Sequence, residues 1–523
     1  MSNPDISLAR SVAAQRRFTL LDTAYPQRTM ALLISLYCVL WTVLTVILSP
    51  VVPYDAVEAW HWGQGFEAGS PKNPWLVGGV AALARHLPLS WPTCWYASHF
   101  LALGIGAWGC WKLCQRLVTD TRHAMLCVVM MVLSGTVSID LLPYNDNYLL
   151  MMLWPWISYG FIRALYDDGR YWFMVTVTMA LAGMAKYSTA IFLPFMLLAV
   201  IGQRQLINVL KQPWLWGGLL VGGALVIPNI YWLSQHDYAA FRWFSTRVGG
   251  ESAWSVIRVY CAVFYNVGLI MAVLLAARWR WQFPVQPEMR TFAMLAVGPI
   301  IVLGGYFMAH GGVRTEWMMP FAVPTGLVVA MCMAPPAHGG YRLPLYVCYG
   351  VVILTLCGLA ASKAWEGMYS TRARNHVSEL SVALNNWWTE RYQQPLVYAG
   401  GSRIGDWMGV YAPDHPRTPT RWPSTATMAA TPKGESPYPN VFTPGLTEEQ
   451  LVQHGAMWVG EAGSRCSDPD VLELDPSLSA ALRQHIEYHA LIFHQNVMPQ
   501  VIFSVCVGVL PPHIQREASV TGS

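Results

Sequence analysis

The chain has 523 residues and a formal net charge of +4, with 54% hydrophobic and only 12% charged residues. Soluble domains carry about 25% charge, so the composition and its positive mean hydropathy exclude an ordinary soluble enzyme and indicate an integral membrane protein. The sequence offers no zinc spacing, Walker loop, dinucleotide fingerprint or nucleic-acid motif.

Residues 1–28 are polar and include Arg10, Arg16, Arg17 and Arg28, too many charges for a cleavable apolar leader; the first span is expected to act as its own uncleaved signal. A helix needs roughly 17–25 apolar residues to cross the hydrocarbon core. Such runs lie near 30–49, 95–115, 123–141, 147–165, 171–185, 187–202, 214–234, 256–277, 291–309, 317–334 and 343–362. The fifth and sixth are short and run together at Lys186. A polytopic α-helical membrane protein with about eleven transmembrane helices is predicted. With a cytoplasmic N-terminus, that side receives Arg10, Arg16, Arg17, Arg28, Lys112, Arg116, Arg122, Arg163, Arg170, Arg204, Lys211, Arg278, Arg280, Arg290 and Arg342. The opposite loops hold only Lys72, Arg85, Lys186, Arg242, Arg247 and Arg314. This bias sets the expected orientation, and an odd number of crossings leaves everything after residue 363 outside.

The first outside loop, about 50–94, is the longest between spans and holds Trp60, Trp62, Trp75 and Trp91. Two helical patterns within it, Ala56 to Phe66 and Pro74 to His86, are expected to lie in the interface plane, where indoles prefer to sit. Asp55 and Glu58 stand three residues apart at the start of the first. That spacing also makes a capping box, whose acids do no more than satisfy the first backbone amides of a helix. The two roles are compatible, because a fixed, partly desolvated carboxylate can still take a proton from an incoming hydroxyl. Lys72 precedes a proline-initiated helix whose N-terminus favours an anion, although a loop lysine is more often simply solvated. On the same side Asp140, Tyr144, Asn145, Asp146 and Asn147 precede the fourth span, more polar groups than one N-cap needs. Lys186-Tyr187 splits the fifth and sixth spans, where snorkelling and a phosphate contact are both open readings.

After residue 363 the composition turns polar and proline-containing, which reads as a soluble domain, 364–523, following a membrane domain, 29–363, and a cytoplasmic segment, 1–28. A helix at Ser378 to Tyr392, strands at Pro395 to Ala399, Met457 to Val459 and Val501 to Val507, and a helix at Ser477 to His489 predict a small α/β module. Cys466 and Cys506 are its only cysteines, and an oxidising compartment would permit their pairing.

Together, Asp55-x-x-Glu58-x-Trp60 followed by Lys72-Asn73-Pro74-Trp75-Leu76 resembles the first outside loop of the polyprenyl-phosphate-dependent membrane glycosyltransferases with the GT-C fold. That group includes dolichyl-phosphate-mannose protein mannosyltransferases, bacterial lipid A aminoarabinose transferases and galacturonosyltransferases of lipid A or core, the last the nearest in motif. Asn145-Asp146-Asn147 leading into Leu153-Trp154-Pro155, Gly183-Met184-Ala185-Lys186-Tyr187 and Trp317-Met318-Met319-Pro320 extend the likeness across residues 30–335. The chain departs from the pattern at Glu316, where the relatives carry arginine, with Arg314 nearby, and at Asn73 and Trp75.

The resemblance implies a GT-C enzyme in a bacterial inner membrane with a periplasmic C-terminal domain. It would move a sugar from a polyprenyl-phosphate donor to a hydroxyl or phosphate of a glycolipid or glycan acceptor, such as lipopolysaccharide, by one inverting displacement. Asp55 is then the expected base and Glu58 its partner. Lys72, Lys186, Tyr187 and Arg314 are expected at the donor phosphate, and Asp146, Asn145, Asn147 and Trp60 on the acceptor side of the cleft. The resemblance implies no certain cofactor; Asp55 and Glu58 can share a divalent metal, with no third acid adjacent. A transporter or flippase of polyprenyl-linked lipid, a structural scaffold, and a GT-C enzyme acting on protein are the rival readings. A transporter would show internal repeats and ionisable groups at mid-span. No clear repeat is present here.

Overall fold

The structure, a computed structural model, describes residues 23–49, 51–65, 67–138, 146–248, 252–336, 340–369, 376–421, 423, 430–432, 438, 440–442, 446–467, 469–475, 478–495 and 501–512. Each apolar run becomes a helix, or a short series of them, because lipid offers nothing to an unpaired backbone amide or carbonyl. Among the described residues five are long and apolar enough to cross a membrane by length and composition: α1 (Pro26–Leu48) and the helices that begin at Pro213, Ala253, Pro287 and Arg342.

Two further helices form the centre. Helix α4 (Trp91–Leu117) packs between α1 and α6 (Asn147–Tyr166), burying Trp95, Phe100 and Phe161 completely. Between them comes α5 (Thr121–Val129), capped by Asp120, whose carboxylate accepts from the Arg122 amide at 2.9 Å. The 20 residues of α6 make a rod of about 30 Å, which separates two polar ends. At its start lie Asp146 and Asn147. At its finish, Asp167 pairs with both Arg116 and Arg163, each at 2.7 Å.

The first loop forms α2 (Tyr54–Gly65) and α3 (Leu76–Arg85). Helix α3 keeps an exposed face at Leu83 and Arg85, but α2 does not lie bare in the interface as the amphipathic reading expects. Residues 56–63 of α2 are all buried, Trp60 to 2% and Trp62 to 6% exposure, because later parts of the chain cover them. Helices α2 and α3 touch through glycines. A Cβ on Gly63 would lie 2.9 Å from the backbone of both Gly78 and Ala82.

After the helix that begins at Arg342 come α15 (Val377–Tyr392), β1 (Ala399–Gly401), α16 (Arg403–Tyr411), β2 (Ala456–Val459), β3 (Glu487–Gln495) and β4 (Val501–Leu510); the helices that follow α6, among them α7 (Tyr171–Ala185), α8 (Phe192–Gly202), α9 (Pro213–Gln235), α10 (Ala239–Ser245), α11 (Ala253–Ala276), α12 (Pro287–His310), α13 (Thr315–Met331) and α14 (Arg342–Tyr369), complete the numbering. The sheet runs β1-β2-β4-β3, with β1 and β2 parallel and the other pairs antiparallel; Ala399 faces Met457, Met457 faces Val509 and Val509 faces Glu487. Cys466 and Cys506 form a disulfide. The helix expected at 477–489 is a correction: only Ala480–Gln484 is helical, and the chain from Glu487 is strand. Nine residues of β3 pair with β4, and that non-local ladder outweighs a local helical pattern.

Helix α16 fastens this region onto the first loop. Its Ser402 cap accepts from the Ile404 amide. Trp407 Nε1 donates to the Val52 carbonyl at 3.0 Å, the Val52 amide donates to Tyr411 Oη at 2.6 Å, and Tyr54 Oη donates to Asp406 Oδ2 at 2.6 Å.

Because backbone, not a flexible side-chain end, meets the added Cβ at Gly63, Gly63→Ala is expected to force α2 off α3 at a cost of about 1–3 kcal/mol. Thermal unfolding in detergent checks this: the midpoint should fall for Gly63→Ala and hold for Gly350→Ala, where no atom lies within 4 Å of the new Cβ.

Candidate active site

A cleft of about 760 Å³ opens between the helical part of the chain and its C-terminal region. The floor is built from the first loop, the start of α6, the turn after α7 and the segments around Trp243 and Arg314. Asp55 and Glu58, one turn apart at the start of α2, reach it together.

Lys72 is placed by a tight turn. Ser70 Oγ accepts from the amides of Lys72 and Asn73 at 3.3 and 2.9 Å and donates to the Asn73 carbonyl at 2.9 Å. The loop is held from outside by Asn229, which donates to the Ala68 carbonyl at 2.7 Å, and by Trp75 Nε1, which donates to the Leu225 carbonyl at 3.1 Å. Lys72 Nζ then lies 2.5 Å from Glu58 Oε2, between the rings of Trp62 and Trp243 at 5.9 and 5.4 Å.

The second lysine is set by α6. Lys186 Nζ donates to Asn147 Oδ1 at 2.8 Å and pairs with Asp146 Oδ2 at 3.1 Å. Asn147 in turn donates to the Glu316 carbonyl at 2.7 Å, tying the start of α6 to that of α13. Asn73 Nδ2 donates to Asp146 Oδ2 at 2.9 Å, so one asparagine joins the Lys72 turn to the Lys186 pair.

The electrostatics follow from burial and neighbours. Burial pushes the Glu58 carboxyl up to about 7, against the opposing pull of Lys72 and with help from the nearby charge of Asp55. Burial works against the Lys72 charge, but Glu58, Asp55 and Asp146 together raise its pKa. Burial alone would raise Asp146 too, yet Lys186 and Lys72 outweigh it and hold this carboxyl below the usual range. Two cations and three acids thus share one desolvated floor.

Of the residues expected from sequence, Asp55, Glu58, Lys72, Asp146, Lys186 and Arg314 line the cleft, as does Arg247. Asn147 stands behind Lys186 as its support. Tyr187 is turned elsewhere, its hydroxyl donating to Asn229 at 2.9 Å and its ring stacked on Phe241 at 5.3 Å. Trp60 lines a different cavity. Arg242 pairs with Asp237. Asn145, with Asp140 and Tyr144, lies outside the described residues. Two carboxylates for a shared metal are present, but Glu58 is engaged by Lys72. Among the described residues no three His, Cys, Asp or Glu side chains are grouped to hold a metal ion, so the donor set does not fit one.

The opposite wall was not legible in the sequence. Arg403, Asp406, Thr418, Thr420, Asn440, Glu461, Glu473 and Asp475 come from the C-terminal region. Thr420 Oγ1 accepts from Asn440 Nδ2 at 2.7 Å and shares a hydrogen bond with Thr418 Oγ1 at 2.7 Å. Glu473 adopts a φ of +45° there, unusual for a side chain of its kind. No local motif marks these residues, because what gathers them is the sheet and the docking of α16.

Residues 68–232 match the family described as dolichyl-phosphate-mannose-protein mannosyltransferase. Solved structures share the fold, two of them of one protein. ArnT from Cupriavidus metallidurans bound to undecaprenyl phosphate superposes with a TM-score of 0.55 at 14% identity, over 94% of this chain and 98% of that one. The apo state of the same protein gives 0.53 at 13% identity, over 93% and 98%. No curated protein matches the chain. The GT-C fold expected from the motifs is the fold of this chain: many apolar helices with a small sheet near the C-terminus.

Glu58 makes stability depend on pH. With its pKa raised from 4.5 to about 7, the folded chain keeps a proton here that the unfolded chain has released. The stability it contributes is therefore complete below about pH 4.5 and is lost as pH rises through about 7. In detergent, the thermal midpoint of Glu58→Gln is expected to decline less than that of wild type between about pH 5 and about pH 8; equal slopes would show that Glu58 titrates normally.

Proposed function

We propose that the protein is a membrane glycosyltransferase that moves a sugar from a polyprenyl-phosphate carrier, of the undecaprenyl kind bound by ArnT, to an acceptor on a cell-envelope glycolipid such as lipopolysaccharide or lipid A. The observation that carries this reading is the pairing of Lys72 and Lys186 with carboxylates on the floor of one cleft at the end of apolar helices. Such a floor suits a substrate with an anionic head and a lipid tail.

The tail has a matching place. An apolar cavity of about 330 Å³ lies among the helices, lined by Trp154, Pro155, Phe192 and Pro320. Trp154 is seven residues along α6 from Asn147, about 10 Å deeper. Pro320 is one turn beyond Glu316 on α13. A phosphate held by the lysines therefore stands above a groove that takes hydrocarbon.

The reaction is one displacement. An acceptor oxygen attacks the anomeric carbon as the bond from that carbon to the phosphate oxygen breaks, inverting the centre. Asp55 takes the acceptor proton. The phosphate departs with its charge, which Lys72, Lys186, Arg247 and Arg314 stabilise in a site with little water. Glu58 and Asp146 keep the two lysines in register before the donor arrives. The C-terminal wall faces the acceptor. The cleft side is the periplasmic face, as the lysine and arginine distribution and the Cys466–Cys506 disulfide both favour. Ionisable groups gather at this end of the spans and not at their middle, which speaks against the transporter reading.

Asp55→Asn is expected to insert and unfold like wild type while losing about 10²–10⁴ of the transfer rate; unchanged activity would remove Asp55 as the base. Mass spectrometry of envelope lipids from cells with and without the gene identifies the sugar and acceptor, and identical profiles would count against transfer altogether.

A further inference from the structure

Trp60 lies two residues past Glu58, about 200° around α2, and so faces away from the cleft. It lines a second cavity, of about 680 Å³, together with Ser49, Arg85, Ser90, Thr93 and His415. We propose that this cavity binds the phosphate group of a membrane lipid, with Arg85 as the anion contact, apart from the donor cleft. The site is independent of the sugar-transfer reading.

Charge is the first argument. No carboxylate lines the cavity, and among the described residues Arg85 makes no ion pair. Its guanidinium sits over the Trp60 ring at 4.6 Å. Burial first, and the positive charge of Arg417 second, pull its pKa below the ordinary value. A guanidinium with no carboxylate along its cavity wall is a charge that an anion relieves.

Hydrogen-bonding capacity is the second. The hydroxyls of Ser90 and Thr93, 2.8 Å apart, stand at the same wall. Trp60 contributes its ring, which carries the Arg85 guanidinium, while its indole N–H is buried.

The rim decides which phosphate. Ile47, Leu83, Leu87 and Leu89 stand 67%, 65%, 50% and 62% exposed on the segments around the cavity. In a membrane-spanning chain these leucines and this isoleucine face hydrocarbon, so the ligand that fits is a phosphate carrying acyl chains, not a soluble anion. Bound there, it rests against α2, the helix that presents Asp55 and Glu58 on its other face.

The test is native mass spectrometry of the full chain in detergent, titrated separately with phosphatidylglycerol, phosphatidylcholine and inorganic phosphate. Phosphatidylglycerol is expected to bind at least about tenfold more tightly than phosphatidylcholine, and Arg85→Gln to remove that preference. Thr93→Val should weaken it less, and Arg391→Gln, at an exposed position outside the cavity, should leave it intact. Phosphate binding that Arg85→Gln abolishes, without any lipid preference, would keep the anion site and overturn its lipid source. Retention of phosphatidylglycerol by Arg85→Gln, or its loss in Arg391→Gln, would overturn the proposal.

Discussion

Lys72 Nζ lies 2.5 Å from Glu58 and Lys186 Nζ 3.1 Å from Asp146, in a cleft where protein replaces most of the water. Pairs of this kind contribute little to folding, because desolvating two charges offsets most of their attraction, whereas removing one partner costs about 3–5 kcal/mol. An apolar replacement would hold the helices together at least as well. The pairs are therefore better understood as a store of opposite charges kept ready than as mortar. In the proposed reaction, each lysine turns from its carboxylate to the entering phosphate with little reorganisation, which is the condition for strong electrostatic stabilisation of a leaving group.

The geometry that keeps the charges ready is shared among distant segments. Asn73 links the Lys72 turn to Asp146, Asn147 links Lys186 to α13, and Asn229 links α9 to the loop before Lys72. Asn73, where the chain departs from the expected family motif, still serves as a polar link, its side-chain amide reaching Asp146. Glu316, another departure, lines the cleft while its carbonyl receives Asn147, so Arg314 and Arg247 are the cations on that side.

Much of this was legible in the sequence, for identifiable reasons. Hydropathy reads the spans because lipid forbids anything but helix there, and every expected apolar run meets a helix. Asp55, Glu58, Lys72, Asp146 and Lys186 were legible because polar groups beside apolar runs stand out against their surroundings. What escaped was whatever depends on the direction of a side chain or on contacts between distant segments. The direction of Trp60 is set by the turn of α2, and that of Tyr187 by Asn229 and Phe241. The strand from Glu487 exists because β4 pairs with it. The C-terminal wall depends on contacts such as Tyr54 with Asp406, which lie 352 residues apart.

That last contact changes how the C-terminal region should be regarded. Its composition sets it apart as a separate soluble unit, yet mechanically it belongs to the site. Tyr54 immediately precedes Asp55, and its hydroxyl is held by Asp406 while Arg403 lies over its ring at 4.9 Å. Burial, reinforced by the Asp406 charge, raises the Tyr54 phenol far above its ordinary value, so it stays protonated and keeps donating. Burial likewise lowers His61 to about 4, which leaves the ring neutral and bonded to the Asp406 carbonyl. Burial also raises the Asp406 carboxyl well above the usual carboxylate range, against the hydrogen bond from Tyr54, so the acceptor of this clamp resists ionisation as Glu58, one turn along the same helix, does. The bonds from Trp407 to the Val52 carbonyl and from the Val52 amide to Tyr411 hold the start of α2 whichever form Asp406 takes. In the reaction proposed above, the C-terminal region thereby positions the residues of the first loop.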